Sequence, residues 1–362
     1  MLRKGFVRWG ILLGVITVGV RLLSDSDWIE RYYSRGFFPI LRTVWDHLLT
    51  SWMPIPLVYL LLLWLVYTLV KNVLRWRKRR GFSRVTSFFW GLLGLVGWGV
   101  GTFLLCWGFN YGRVSVAQKL GLSPSPLDTL YLKQTTQEEA AALVQLRQSI
   151  PHVDTTALGA QHFPAQTEDL LRQALEATLV HYNYPAIGQV RGRTLWPKGI
   201  FLYFGSAGLY LPWTGEGHID AGLLPLQVPY TLTHELAHGY GFADEGTCSF
   251  WAYLAAFKVS DPALEYAIRL GYWRSLAAHW KRLNPTEYQS FRDGLPAGLQ
   301  ADLAAINTNL DRYPDVFPFL QDVLYDRYLK TQGIQEGLAN YSTVVTLVEA
   351  WRQAGGQGYI RL

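Results

Sequence analysis

The chain has 362 residues, enough for a membrane anchor and one globular domain, and 50% of them are hydrophobic while only 17% are charged. Its formal charge of +6 is unevenly placed: residues 1–112 carry 14 Lys/Arg against 4 Asp/Glu, and residues 113–362 carry 19 against 23. A nucleic-acid binder concentrates positive charge on its folded domain, and here that domain is mildly acidic, so no nucleic acid is expected as a partner. The two cysteines, Cys106 and Cys248, sit in settings that predict no structural disulfide.

Three apolar segments open the chain. The first, about 9–23, is short for a span, but Arg8 and Arg21 can extend to opposite interfaces. Arg3, Lys4 and Arg8 resemble the start of a signal peptide. Ser24-Asp25-Ser26-Asp27 offers no small-x-small cleavage site, which favours an uncleaved anchor. The second segment, 53–70, has no charged residue, and the third, 85–112, is uncharged and rich in Gly and Trp, with its span at about 87–109. Gly97 and Gly101 form a G-x-x-x-G pair suited to close helix packing. Between the second and third segments lie Lys71, Arg75, Arg77, Lys78, Arg79, Arg80 and Arg84, which mark that loop as cytoplasmic. The loop 24–52, with three basic and four acidic residues, is expected outside. Three spans with a cytoplasmic N-terminus place residues 113–362 outside the cytoplasm, in a multi-pass protein of the cell membrane.

From residue 113 the pattern is mainly helical. Thr135-Thr136-Gln137-Glu138 has capping-box spacing at the start of a helix ended by Pro151, and 167–181 is a second amphipathic helix. Residues 199–212 change character, with aromatic and β-branched residues among glycines predicting strands joined by a turn. Helices are expected at about 246–258, 262–282, 286–293, 299–311, 316–331 and 334–353. Leu211-Pro212-Trp213-Thr214-Gly215 matches the L-P-x-T-G sorting signal, but no hydrophobic tail follows and the match is coincidental.

The chemistry is concentrated in His234-Glu235-Leu236-Ala237-His238. Histidines at i and i+4 share one helical face and converge on one Zn²⁺, with Glu235 beside the open coordination position. Pro229 suits the helix start and Gly241 the position just past its end. Catalytic zinc needs a third protein ligand. Asp244 completes H-E-x-x-H-x-x-G-x-x-D, an arrangement that resembles metzincins. Glu245 opens the next helix and resembles the gluzincin third ligand, although the gap after His238 is short for that class. Glu245 is favoured. Ser249 stands where gluzincins commonly carry an Asp that orients a ligand histidine, so that support is expected from elsewhere, with Asp244 a candidate.

Beyond the zinc motif, 208–216 (GLYLPWTGE), Pro229-Tyr230, Gly241-Phe242-Ala243 and 250–254 (FWAYL) resemble an uncharacterised bacterial family. So do 325–330 (YDRYLK), Gly337 and Tyr341. Its members carry N-terminal membrane spans and an HExxH site and are known only as a domain of unknown function. The resemblance implies an anchor at 1–112 and a zincin-like α+β, mainly helical extracytoplasmic domain at 113–362.

The expected function is a membrane-anchored zinc metallopeptidase acting on envelope or other extracytoplasmic proteins or peptides. Its residues are Glu235 as general base, His234, His238 and Glu245 as metal ligands, and Zn²⁺ as cofactor. Tyr325, Tyr328, Tyr341 and His218 are candidate oxyanion donors, and the strand 208–212 is a candidate substrate edge. Acidic residues around the motif argue against an intramembrane protease. The alternative is a non-catalytic metal-binding scaffold or degenerate peptidase that binds envelope partners. In that case Cys248, the nearby thiol, is the candidate to close the metal's fourth position.

Overall fold

The computed structural model describes residues 4–77, 82–332, 334 and 343–356. The chain is mainly helical with one small sheet, and it divides into two compact units, Met1–Val114 with Leu211–Glu216, and Ser115–Tyr210 with Gly217–Leu362.

The first unit holds three helices long and apolar enough to cross a membrane: α1 (Lys4–Leu23), α4 (Leu57–Arg77) and α5 (Phe82–Cys106). They differ at their ends from the apolar segments because helical hydrogen bonding continues through flanking polar residues. Pro54 and Pro56 delay the start of α4, and α5 gives way to a tight 3₁₀ turn at Gly108–Gly112. Of the basic loop, Lys78, Arg79 and Arg80 lie outside the described residues. The Gly97/Gly101 pair lies at the crossing of α5 with α1. A Cβ on Gly97 would come within 2.3 Å of the Gly10 carbonyl oxygen, and one on Gly101 within 2.6 Å of Leu13 Cγ. Small residues on both helices permit this backbone contact.

Within the stretch 24–52, expected as a loop, residues 26–50 are helical instead. The helix runs as α2 (Ser26–Trp28), a π-helical stretch Ile29–Phe37, α3 (Phe38–Trp45) and a second π-helical stretch Asp46–Thr50. Its inner face is held by Tyr33, whose hydroxyl donates to the Leu105 carbonyl at 2.8 Å, and by Arg113, whose Nε donates to Glu30 at 2.8 Å. Buried Arg42 pairs with Asp46 and donates to the Gly215 carbonyl at 2.6 Å. Gly215, at φ +67°, turns the chain between two strands, so the residues matching L-P-x-T-G form a hairpin tip.

The second unit contains α6 (Val116–Leu120), α7 (Thr129–Ser149), α8 (Thr167–His181), β1 (Arg191–Leu195), β2 (Gly208–Leu211), β3 (Glu216–Asp220), α9 (Val228–Gly239), α10 (Glu245–Ala256), α11 (Pro262–Leu283), α12 (Pro285–Asp293), α13 (Ala297–Asp311), α14 (Pro318–Thr331) and α15 (Thr343–Gln353). The tip of its β2–β3 hairpin belongs to the first unit. α7 begins earlier than the Thr135 capping signal because Asp128 caps it, accepting from the Tyr131 amide at 2.6 Å. Residues 199–205 form a turn rather than a strand, pinned by buried Asp220, which accepts from the amides of Gly199, Phe201 and Leu202 at 2.7, 2.7 and 3.1 Å.

The sheet order is β1-β3-β2, which makes β2 an edge strand. α10 is buried along its entire length, the arrangement expected of a helix apolar on all sides. It is surrounded by α8, α9, α11 and α15, and the Trp251, Phe250 and Phe242 rings fill the space between them. Each such fully buried aromatic stabilises the fold by roughly 1.5–3 kcal/mol. The two helices that carry the motif are therefore the rigid centre of this unit.

Candidate metal centre

Pro229 stands in the first turn of α9, and Gly241, at φ +88°, redirects the chain just beyond its end. That turn brings the start of α10 back against the C-terminal half of α9. Asp244 is the N-cap of α10, accepting from the Thr247 amide at 2.6 Å, so Glu245 occupies the first helical position. His234, Glu235, His238 and Glu245 are all buried, each between 5% and 8% exposed.

His234 Nε2 lies 3.0 Å from Glu245 Oε2, His238 Nε2 lies 3.3 Å from the same oxygen, and the two Nε2 atoms are 3.1 Å apart. The three side chains form a group able to hold a metal ion. Asp244 is not in that group, because its carboxylate caps the helix. The far side of each ring is fixed: His238 Nδ1 donates to the Phe242 carbonyl at 2.8 Å, and Ser249 Oγ stands 3.1 Å from His234 Nδ1. With the His234 proton on Nδ1, facing the serine oxygen, both Nε2 lone pairs and a carboxylate oxygen point at one another. Three acceptors in a buried space repel unless a cation or a proton lies among them.

The titration behaviour reflects this crowding. Burial opposes charge on Glu245, yet the His238 and His234 imidazoles hold its carboxyl far below the usual range. Burial lowers His234, with Glu245 opposing. Burial also opposes charge on His238, but the groups around it, Glu245 among them, hold it well above its ordinary value. Burial pushes the Cys248 thiol up to about 12, so it stays protonated. Its Sγ approaches His238 at Nδ1, 3.3 Å away, and lies outside the ligand group, so it does not close a fourth coordination position.

Glu235 takes no part in the ligand group. Burial raises its carboxyl to about 8, and its Oε2 has no hydrogen-bond partner among the described residues. The β2–β3 hairpin lies directly against it. A Cβ on Gly208 would fall 2.7 Å from Glu235 Oε1, and one on Gly217 would fall 2.8 Å from Glu235 Cβ. His218, on β3, is buried beside this contact with Nδ1 3.3 Å from the Leu209 carbonyl. The Tyr210 ring of β2 stacks at 6.5 Å from His238. Among the other candidate oxyanion donors, Tyr341 lies outside the described residues, as do Gly337 and the side chains of Tyr325 and Tyr328.

Sequence reasoning had Gly208 and Tyr210 only within a candidate substrate edge and Phe242 only in the family resemblance; their contacts with Glu235 and His238, Gly217 and the role of Ser249 were missed. Ser249 supplies the histidine support that its replacement of Asp was expected to remove, whereas Asp244 supports a helix end. The only signal in the sequence was Ser249's place four residues after Glu245, which puts it one turn along the same helix.

A protein family of unknown function, DUF3810, matches residues 33–348, and the chain belongs to that family. No curated protein and no solved structure matches it.

Proposed function

We propose that the chain is a membrane-anchored, zinc-dependent peptidase with a zincin-like domain, hydrolysing peptide bonds of envelope or other extracytoplasmic proteins or peptides. Its N-terminus is cytoplasmic and residues 113–362 are extracytoplasmic, as the basic residues between the second and third spans indicate. The observation that carries this reading is a three-ligand cluster beside a buried carboxylate, Glu235, whose Oε2 has no partner among the described residues.

The donor set fits zinc. Tetrahedral bonds of about 2.0–2.1 Å give ligand-to-ligand edges of about 3.3 Å, against the observed 3.0–3.3 Å. Two imidazoles and one carboxylate also leave the fourth position to water, as in catalytic sites. When bound, zinc supplies an acidified water and a Lewis acid for the scissile carbonyl. Glu235 accepts a proton from the attacking water and delivers it to the leaving amine. Phe242 and Ser249 keep the histidines oriented. β2, as an edge strand, offers backbone groups to an extended peptide, and its Gly208 end lies against Glu235. An intramembrane mode is disfavoured because α9 has only 12 residues, too few to span a bilayer.

The test is cleavage of unstructured protein substrates by the full chain in detergent with zinc, beside Glu235→Gln and a chelated sample. The proposal expects cleavage by the wild type alone. Equal cleavage by Glu235→Gln, or none by a metal-loaded wild type, contradicts it.

A further inference from the structure

The helical segment 26–50 buries a row of polar residues and exposes a row of apolar ones. Glu30, Ser34, Arg42, Asp46 and Thr50 fall on one four-residue period and are all buried. Trp28, Tyr32, Ile40, Val44, Leu48 and Trp52 fall on a second four-residue period, two positions out of phase, and are all exposed; Ile40 is 66% exposed, Leu48 70% and Trp52 79%. A strict period of four requires a helix wound between the α value of 3.6 residues per turn and the wider π form, and the alternating α and π stretches provide it. A water-exposed helix turns its charges outward and its apolar stripe inward. This one buries Glu30, Arg42 and Asp46 inside, leaves Asp27, Arg31 and Arg35 exposed beside the stripe, and presents the apolar stripe itself to its surroundings.

Its position is fixed by contacts within the first unit. The chain enters it just after α1 ends at Leu23 and leaves it for α4 at Leu57. Tyr33 donates to the Leu105 carbonyl in the last turn of α5, Ser34 donates to Asn110 at 2.8 Å, and Arg113 donates to Glu30 at 2.8 Å. These contacts hold the segment at the ends of three membrane-length helices, on one face of the bilayer. A continuous helix tied to spans at both ends on the same face runs along that face rather than through it.

We propose that residues 26–52 are an interfacial membrane helix whose apolar stripe lies in the lipid between headgroups and acyl chains, with Trp28 and Trp52 as its terminal anchors. Tryptophan and tyrosine favour that depth, and an in-plane helix gains its binding from buried apolar area. The lipid bilayer is the occupant because the segment joins α1 to α4, whose exposed apolar side chains require the same solvent as the stripe.

The test is spin labelling of the full chain in phospholipid nanodiscs at Ile40→Cys and Leu48→Cys. Leu63→Cys in α4 gives the lipid reference and Leu130→Cys, 72% exposed on α7, the water reference. Unsubstituted chain controls for labelling at Cys106 and Cys248. The collision ratio of oxygen to a water-soluble nickel chelate at Ile40 and Leu48 is expected severalfold above that at Leu130 and close to that at Leu63. A ratio matching Leu130 overturns the proposal in favour of an aqueous segment. Low accessibility to both reagents overturns it in favour of a protein partner, such as a second copy of the chain. The result does not depend on whether the metal centre is catalytic.

Discussion

Ser249 Oγ stands 3.1 Å from Nδ1 of His234, joining α10 to the ring that α9 presents to the metal cluster. A serine oxygen here fixes the ring's rotation and keeps Nε2 directed at the cluster formed with His238 and Glu245. Ser249→Ala removes that support without touching a ligand. It is expected to weaken metal affinity about 10–100-fold while the fold is retained. Competition with a chromophoric chelator measures the change, and Ser249→Asp is expected to recover most of it.

Glu235→Gln keeps the shape of the side chain but removes the base. Metal content is expected to stay as in the wild type, while turnover falls by about 10²–10⁴-fold, the usual contribution of a positioned general base. Parallel metal analysis and peptide-cleavage rates on the same preparation separate binding from chemistry.

The same carboxyl sets a pH dependence in the chelated protein. Burial raises its folded pKa from 4.5 to about 8, so the folded state binds this proton more tightly than the unfolded state. Its stabilisation is complete below about pH 4.5 and is lost as pH rises toward about 8. Within that window Glu235→Gln is expected to remove a slope of at most about 1.4 kcal/mol per pH unit. Thermal unfolding of both chains in chelator at several pH values, taken as a difference, isolates Glu235 from the neighbouring histidines.

Gly208 and Gly217 allow the hairpin to lie on Glu235, and a methyl at Gly208 would also meet the His218 carbonyl oxygen at 2.7 Å. Both obstacles are close, and one is backbone, so the hairpin must move. Gly208→Ala is expected to destabilise the chain by about 1–3 kcal/mol and to lower cleavage more than metal binding. Unfolding midpoints and cleavage rates test both parts.

How much of this was legible follows from how local each feature is. His234, Glu235 and His238 share little more than one turn of one helix, so spacing proposes the histidine pair and the base; it left Asp244 and Glu245 both open as third ligand, with Glu245 favoured by the gluzincin resemblance. Glycine and proline likewise marked the ends of α9. The hairpin contact was invisible because Gly208 and Gly217 reach Glu235 from distant sequence. Phe242 contributes a backbone carbonyl that no side chain announces. β1 (RGRTL) and β3 (EGHID) lack the alternation of a half-buried strand, and β3 is buried throughout its length. The segment 26–50 was read as a loop because its pattern repeats every four residues, with a row of polar residues inward and a row of apolar ones outward. A reading tuned to a period of 3.6 and an aqueous exterior does not register it.

A second buried network tests the frame around the site. Glu139 on α7 accepts from Arg269 on α11 at 2.7 Å and from Arg352 on α15 at 3.0 Å, and Arg352 also donates to the Tyr253 hydroxyl on α10 at 2.7 Å. Removing the shared acid strands two guanidinium groups in the interior. Glu139→Ala is expected to cost about 3–5 kcal/mol, measured by chemical or thermal unfolding, with metal stoichiometry intact in the folded fraction.

Metal content tests the central claim most directly. The full chain, purified without chelator, is analysed by inductively coupled plasma mass spectrometry beside His238→Ala, Glu245→Ala and Asp244→Ala. About one zinc per chain is expected in the wild type and in Asp244→Ala, with loss in His238→Ala and Glu245→Ala. A folded wild-type chain that carries no metal and takes up none, or one that keeps its zinc without Glu245, would contradict the account.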